Sequence, residues 1–166
     1  MGPGTPESRR GTHLRGYCQY LSYGAKAGQP NLRFLDATLF NNPVLTLYQD
    51  ARFELHTGPF LFEFQLHGMP SEEFCSQLDT FYAQLPKDFR YAVEICKAGL
   101  LAPDYRKVLE NHGVAHVYNH WSYIRSLAEQ HQRMEERFTG PFMVLRLLTP
   151  LKMSYEAARK LAEPYT

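Results

Sequence analysis

The stretch T-G-P-F-L-F-E-F-Q-L-H-G-M-P-S at residues 57–71 decides the fold, because it combines a strand with two turn signals and the start of a helix. Phenylalanine at every second position over residues 60–64 has the period of a β-strand, and glycine and proline punctuate both of its ends. Ser71 is predicted to cap a helix with an apolar stripe of helical spacing at Phe74, Leu78, Phe81 and Leu85. The stretch therefore predicts a strand over residues 60–66 and an amphipathic helix, the unit of an α/β fold.

Three further units of the same kind follow along the chain. Their strands are predicted over residues 89–95, 114–119 and 142–148. Their helices are predicted to begin at Pro103, at Ser122 and near Ser154, and the first of the three to end at Gly113. A helix between successive strands is the crossover that parallel strands require.

The length of the unit favours a (β/α) barrel. The strands begin near residues 60, 90, 114 and 142, so eight such units would make a TIM-type barrel of roughly 250 residues and four make half of one. A flavodoxin-like sheet is the alternative, although no G-x-G-x-x-G or Walker loop follows a strand. We predict an α/β fold: a partial TIM-type (β/α) barrel of about four parallel strands with flanking helices.

The N-terminal part of the chain has a different composition. The first 30 residues carry six of the eleven glycines and are predicted to be loose. Asp36 is then predicted to cap a short helix carrying Leu39 and Phe40. Pro43 is predicted to start a second turn, because proline inside a helix costs about 3 kcal/mol.

The composition argues against several classes of protein. A hydrophobic fraction of 44% with 14% aromatic residues suffices for a packed core. Lysine and arginine number 18 against 17 acidic residues, and a net charge of +1 argues against nucleic acid and membranes as partners. Cys18, Cys75 and Cys96 have neither zinc nor disulfide spacing, and no apolar run has the length of a membrane span. We expect free thiols and a cytoplasmic location.

Polar residues recur on one face of the predicted strands. Because strand side chains alternate, Gln65, Glu94, Asn119 and Arg146 are expected near the carboxyl ends of four neighbouring strands, with Glu63 one layer below. That end of a barrel is where active sites are built. Buried charges need partners, so one interpretation is a structural ion-pair network and the other is a site for a ligand or a reaction. We expect these side chains at the same edge of one parallel sheet.

The histidines are weaker candidates. His112, His116 and His120 recur every four residues, which on a helix would align three metal ligands. The residues around them predict a strand instead, where His116 and His120 lie about 13 Å apart, too far for one ion. We predict no metal site, and the sequence does not identify a cofactor. His67 and His120, each just past a strand end, are candidates for proton transfer or ligand binding.

The blocks Y-G-A-K-A-G (23–28), F-L-D-A (34–37), H-T-G-P-F-L-F-E-F-Q (56–65), F-R-Y-A-V-E-I (89–95), H-G-V-A-H-V-Y-N-H-W (112–121) and L-R-L-L-T-P (145–150) resemble the YecE-like family, the DUF72 domain of unknown function. The resemblance runs from about residue 23 to the last residue. It implies a TIM-type barrel in which the four strands are the fourth to seventh. It also implies that residues 1–22 are a disordered or non-family segment and that residues 23–166 are an incomplete barrel domain.

The resemblance assigns positions but no reaction. Glu94 and Arg146 match a strand-end glutamate and a strand-end arginine of the family, and Asn119 stands where the family has aspartate or asparagine. Cys96 departs from the arginine that usually follows two residues after that glutamate. Together with the pattern of strand faces and strand ends, these matches make Glu94 and Arg146 the candidate catalytic residues. The candidate ligand-binding residues are Glu63, Gln65, Asn119 and His120.

Three functions remain open at this point. An enzyme would bind or transform a small polar or anionic metabolite at the mouth of the barrel, with Glu94 as acid or base and Arg146 holding an anionic group. The others are a non-catalytic binding domain and an inactive fragment of a barrel protein. An inner face bearing Leu61, Val117, Leu145 and Leu147 is expected to promote self-association through exposed sheet edges.

Overall fold

The computed structural model describes residues 25–50, 58–65, 68–121, 124–147 and 152–164. The strands in this part of the chain are β1 Phe60–Phe64, β2 Tyr91–Ile95, β3 Ala115–His120 and β4 Val144–Leu147. The α-helices are α1 Ala37–Leu39, α2 Thr46–Tyr48, α3 Ser71–Ala83, α4 Pro103–His112, α5 Leu127–Arg133 and α6 Tyr155–Ala162. A π-helical turn, Phe40–Leu45, joins α1 to α2, and a 3₁₀ turn, Ala98–Leu100, precedes α4. Residues 1–22 lie outside the described residues.

The four strands form one parallel sheet in chain order. Helices α3, α4 and α5 each connect one strand to the next, as parallel pairing requires. The α/β prediction with about four parallel strands is confirmed. Chain order is also the order of strands in a segment of a (β/α) barrel, and the described strands make an open sheet.

One face of the sheet carries an aromatic core. Phe60, Phe62 and Phe64 of β1 are buried against the helical residues 37–48 and against α3. The Phe40 ring lies 5.3 Å from the Phe60 ring and 5.2 Å from the Phe62 ring, and the Phe81 ring lies 5.3 Å from Phe62. Truncating one such ring to alanine costs about 3–5 kcal/mol, so this face fixes the register of β1.

The other face is lined by small and aliphatic residues. Ala92, Ala115 and Val117 form its buried cluster, and Leu61, Phe142 and Val144 pack against them. The expectation that Leu145 and Leu147 share this face is wrong. Arg146 of β4 lies on the same side as Asn119, so the period of two sends both leucines to the opposite side, where they are exposed.

Most helix ends follow the predicted signals. Pro103 is the first residue of α4, and Gly113, with a left-handed φ of 64°, ends it. Helix α6 begins at Tyr155, close to the predicted start near Ser154, and Ser154 is its cap. Ser71 is the first residue of α3 rather than its cap, because Pro70 occupies the cap position without a side-chain hydrogen bond.

Two predicted helix starts are wrong. Helix α5 begins at Leu127 behind a capping box made by Ser126 and Glu129, and Ile124 precedes the helix. Ser122, the predicted cap, lies outside the described residues. Asp36 caps α1 by accepting from the Leu39 N–H, but Pro43 lies inside the π-helical turn instead of starting a new helix. In the described part of the chain no helix is both long and apolar enough to cross a membrane.

Candidate functional site

Side chains from all four strands meet toward the carboxyl ends of the strands, on the face that carries Ala92, Ala115 and Val117. We call this the inner face. We call this group the polar cluster, and its members are Glu63, Gln65, Glu94, Cys96, Asn119 and Arg146. Parallel pairing in register explains their meeting, since Glu63 pairs with Glu94 across β1 and β2, and Asn119 pairs with Arg146 across β3 and β4. Five of the six predicted site residues are thus brought together.

Glu94 lies at the centre of the polar cluster and is only 1% exposed. One of its carboxylate oxygens accepts a hydrogen bond from Asn119 Nδ2, and the other accepts one from Arg146 Nη1. A buried carboxylate is tolerated only with such donors. The adjacent strand β3 supplies Asn119, and β4, the next strand beyond it, supplies Arg146.

Arg146 also separates two carboxylates. Glu63 and Glu94 lie directly across from each other on neighbouring strands, an arrangement that is unfavourable for like charges. Arg146 Nη1 donates to Glu63 Oε2 at 3.2 Å as well as to Glu94. The remaining oxygen of Glu63 accepts from Gln65 Nε2 at 3.1 Å and from Cys96 Sγ at 3.8 Å. When Arg146, Glu63 and Glu94 are all ionised, the guanidinium of Arg146 faces two carboxylates.

Burial governs protonation in this cluster. It raises the pKa of Glu94, the nearby Glu63 carboxylate adds to the rise, and Arg146 and Asn119 limit it. Burial alone would lower the pKa of Arg146, but the two carboxylates raise it overall. Burial, with Glu63 and Glu94, raises the pKa of Cys96 to about 12, so this thiol is not a thiolate nucleophile at neutral pH.

Asn119 is held in place through its backbone. Its N–H donates to Gln130 Oε1 at 3.2 Å, and its carbonyl accepts from Gln130 Nε2 at 2.8 Å. The side-chain Oδ1 of Asn119 is buried and has no hydrogen-bond partner among the described residues. Buried acceptors without a partner are uncommon, and one beside a carboxylate suits a donor group of a ligand. Sequence reasoning missed Gln130, because a glutamine on a helix gives no sign of a contact with a strand.

His120 does not join the polar cluster. It pairs with Leu147 across β3 and β4 and therefore points away from the face that carries Asn119. It lines a separate cavity of about 250 Å³, which is bounded by His120, Trp121, Ile124, Arg125, Ser126, Leu127 and Lys152. His67 lies outside the described residues.

His116 has a structural environment on the helix-facing side of β3. Its Nδ1 lies 3.1 Å from the Tyr105 hydroxyl, and its ring contacts Tyr118 at 4.9 Å between centroids. Burial lowers the pKa of His116 to about 4, which favours the neutral ring. Among the described residues, no three histidine, cysteine, aspartate or glutamate side chains group in a way that could hold a metal ion.

A larger cavity of about 550 Å³ lies elsewhere, between residues 30–35 and α3. Of the described residues in its lining, Glu73 alone is ionisable, and the carboxylate of Glu73 accepts a hydrogen bond from Gln77 at 3.1 Å. None of the residues of the polar cluster lines this cavity. Its size alone therefore does not make it the candidate site, whereas the polar cluster combines burial, perturbed protonation and converging polar groups.

A family model described as "Protein of unknown function DUF72" matches residues 35–164. The matched region contains all four strands and the whole polar cluster. No curated protein and no solved structure gives a significant match. The comparison thus agrees with the resemblance seen in the sequence blocks and brings no reaction with it.

Proposed function

The chain belongs to the DUF72 family of proteins of unknown function, and we propose that its polar cluster binds a small polar metabolite at the carboxyl-terminal edge of the sheet. In this proposal the sheet is part of a TIM-type barrel, and that edge is the mouth at which barrel enzymes build their sites. The support is the parallel sheet in chain order, together with the position of the polar cluster on its inner face.

The observation that carries the proposal is the environment of Glu94. Its carboxyl group is buried among polar partners, its pKa is raised, and the unpartnered Oδ1 of Asn119 lies on the same side chain that donates to it. A carboxyl with a raised pKa is suited to giving a proton to a ligand or taking one from it. Glu94 is therefore the acid or base of the proposed site.

The other members of the cluster have supporting roles. Arg146 neutralises Glu63 and Glu94, which keeps the Glu94 carboxylate in position. With one cation facing two carboxylates, the cluster itself favours hydroxyl, amide or amine donors over an anion. Asn119 Oδ1 and the exposed Gln65 amide offer further hydrogen bonds to such a ligand.

A structural ion-pair network is the competing interpretation, and one experiment separates the two. Thermal-shift measurements with a library of small polar metabolites are made on the wild-type chain, on Glu94→Gln and on the control Glu73→Gln in the 550 Å³ cavity. We expect a metabolite that raises the melting temperature of the wild type and of Glu73→Gln but not of Glu94→Gln. The change itself should cost about 1–3 kcal/mol, because the amide oxygen can accept only one of the two hydrogen bonds that the Glu94 carboxylate accepts.

Two results would contradict the proposed function. One is that no metabolite stabilises the wild-type chain. The other is that Glu94→Gln lowers the melting temperature while every ligand-induced shift stays the same, since a purely structural glutamate behaves in that way.

A cytoplasmic location is part of the proposal. Cys75 is buried and Cys96 is half-buried, and both are free thiols in the described part of the chain. Free cysteines of this kind persist in a reducing compartment.

A further inference from the structure

We propose that the cavity around His120 binds a phosphate group and that this group belongs to the metabolite held by the polar cluster. We call this cavity the cationic pocket. The assignment of the phosphate to that metabolite rests on the proposed function, whereas the binding of the anion itself does not. In the polar cluster Arg146 is already engaged by two carboxylates, so a negatively charged group of the metabolite needs a different site.

The lining of the cationic pocket has one sign of charge. His120, Arg125 and Lys152 line a cavity of about 250 Å³, and none of the described residues in its lining carries a carboxylate. This volume is below the roughly 300–1,000 Å³ of pockets that enclose a whole ligand, so it suits one group of a larger molecule. Several cationic donors around a small concave site favour a multiply charged anion, since each phosphate oxygen can accept a hydrogen bond from a different residue.

The Glu129 carboxylate engages Arg125 of the pocket only weakly. Arg125 Nη1 lies 3.5 Å from Glu129 Oε1, and both side chains are about half exposed. Glu129 makes its shorter hydrogen bonds to Ser126, at 3.1 Å to the backbone N–H and 2.8 Å to the hydroxyl. An exposed pair of this length contributes little, so a phosphate can compete for Arg125.

The backbone places Lys152 at the pocket. Its φ is 62°, in the left-handed region that residues with a side chain seldom adopt. The chain turns there after β4, and Lys152 lines the same cavity as His120 at the end of β3. A lysine held in an uncommon backbone conformation at a cavity agrees with a binding role for that position.

A buried glutamine connects the cationic pocket to the polar cluster. Gln130 Nε2 donates to the Asn119 carbonyl at 2.8 Å and to the Arg125 carbonyl at 2.7 Å. Asn119 belongs to the polar cluster, and His120, the next residue, lines the pocket. Gln130 therefore fixes the end of β3 relative to the segment that carries Arg125. Because His120 points to the face opposite to Asn119, the proposed metabolite extends over the carboxyl end of β3, with its polar part on the cluster and its phosphate in the pocket.

The test is a titration of the 166-residue chain with inorganic phosphate, followed by calorimetry and by protein NMR shifts. Arg125→Gln and Lys152→Gln should each weaken binding about fivefold, and the double variant about 25-fold, the usual effect of losing partly exposed charge-assisted contacts. Glu129→Gln keeps a capping-box residue but removes the competing carboxylate, so it should tighten binding. Lys107→Gln, on the exposed side of α4, is the matched control and should not change the affinity.

The outcomes separate the pocket from the proposed function. Acetate titrations distinguish phosphate recognition from attraction to any anion, and the pocket predicts a clear preference for phosphate. Absence of phosphate binding, or equal losses in Lys107→Gln and Arg125→Gln, overturns the pocket even if an uncharged metabolite still requires Glu94. Phosphate binding that depends on Arg125 and Lys152 upholds the pocket even if no metabolite responds to Glu94→Gln.

Discussion

At the scale of single residues, His116 illustrates how the core controls a titratable group. The imidazole is 3% exposed, and the Tyr105 hydroxyl lies within hydrogen-bond distance of its Nδ1. Burial penalises the charged ring and lowers its pKa to about 4, although the nearby Gln130 side chain acts in the opposite direction. In the unfolded chain the same histidine has a pKa near 6.5.

This difference predicts an acid-sensitive stability. Between pH 6.5 and about 4 the unfolded chain binds a proton that the folded chain does not, so the His116 contribution is complete above pH 6.5 and is lost on acidification toward pH 4. The loss from this group should amount to up to about 3 kcal/mol. In urea unfolding at a series of pH values, the free energy of unfolding should depend less steeply on pH for His116→Gln than for the wild type. Equal slopes for the two chains would contradict the assignment, and His112→Gln serves as the control.

At the scale of the elements, Gln130 joins α5 to the end of β3. Its side chain is fully buried, and its three hydrogen bonds reach the Asn119 N–H, the Asn119 carbonyl and the Arg125 carbonyl. A short helix of seven residues buries little area, so these bonds decide where α5 docks. The helix in turn holds the segment that carries Arg125.

Replacing this side chain should therefore loosen the docking of α5. Gln130→Leu keeps a similar volume but leaves three backbone groups without their partner, and the free energy of unfolding should fall by about 2–4 kcal/mol. Gln132→Leu, an exposed position on the same helix, should change stability by less than about 0.5 kcal/mol. Chemical denaturation of both variants measures the difference. Similar stability of the two variants would show that Gln130 does not hold the helix.

The helix ends show which local sequence signals are enough to predict where a helix begins and ends. Proline and glycine at the two ends of α4 fix its bounds, because the missing N–H of Pro103 and the left-handed φ of Gly113 are local properties. The start of α5 was predicted wrongly although its signal is present, since only Ser126 has a glutamate three residues later. The π-helical turn at Pro43 was not predictable, because such turns have no composition of their own.

At the scale of the whole molecule, strand periodicity accounts for much of the candidate site. A period of two and parallel pairing suffice to bring Glu63, Glu94, Asn119 and Arg146 to one face. The same rule sends His120 away from them, which counting along a single strand could have revealed. The cationic pocket was beyond such reasoning, because the strand pattern gives no sign that Lys152, which follows β4 in the sequence, lines the same cavity as His120.

The whole molecule also exposes an apolar surface beside β4. Within the described sheet β4 is an edge strand, and Met143, Leu145 and Leu147 on its outward side are 56%, 44% and 68% exposed. Phe138 adds a fourth large apolar side chain that is 57% exposed. An edge strand with adjoining apolar side chains can pair with the same strand of another molecule, which satisfies its backbone groups and buries the leucines at once.

We therefore expect the chain to self-associate through β4, and a charge on this strand should oppose it. Leu147→Lys should shift the mean mass in sedimentation velocity toward that of one chain, because lysines on an edge strand block pairing and resist burial. Leu32→Lys is the matched control, since Leu32 is 95% exposed and lies away from the sheet, and it should leave the mass distribution unchanged. A wild-type chain that stays monomeric at every concentration, with a cooperative melting transition, would mean that β4 is covered by another part of the same molecule. An equal response to both substitutions would instead assign the association to general hydrophobicity rather than to the edge of the sheet.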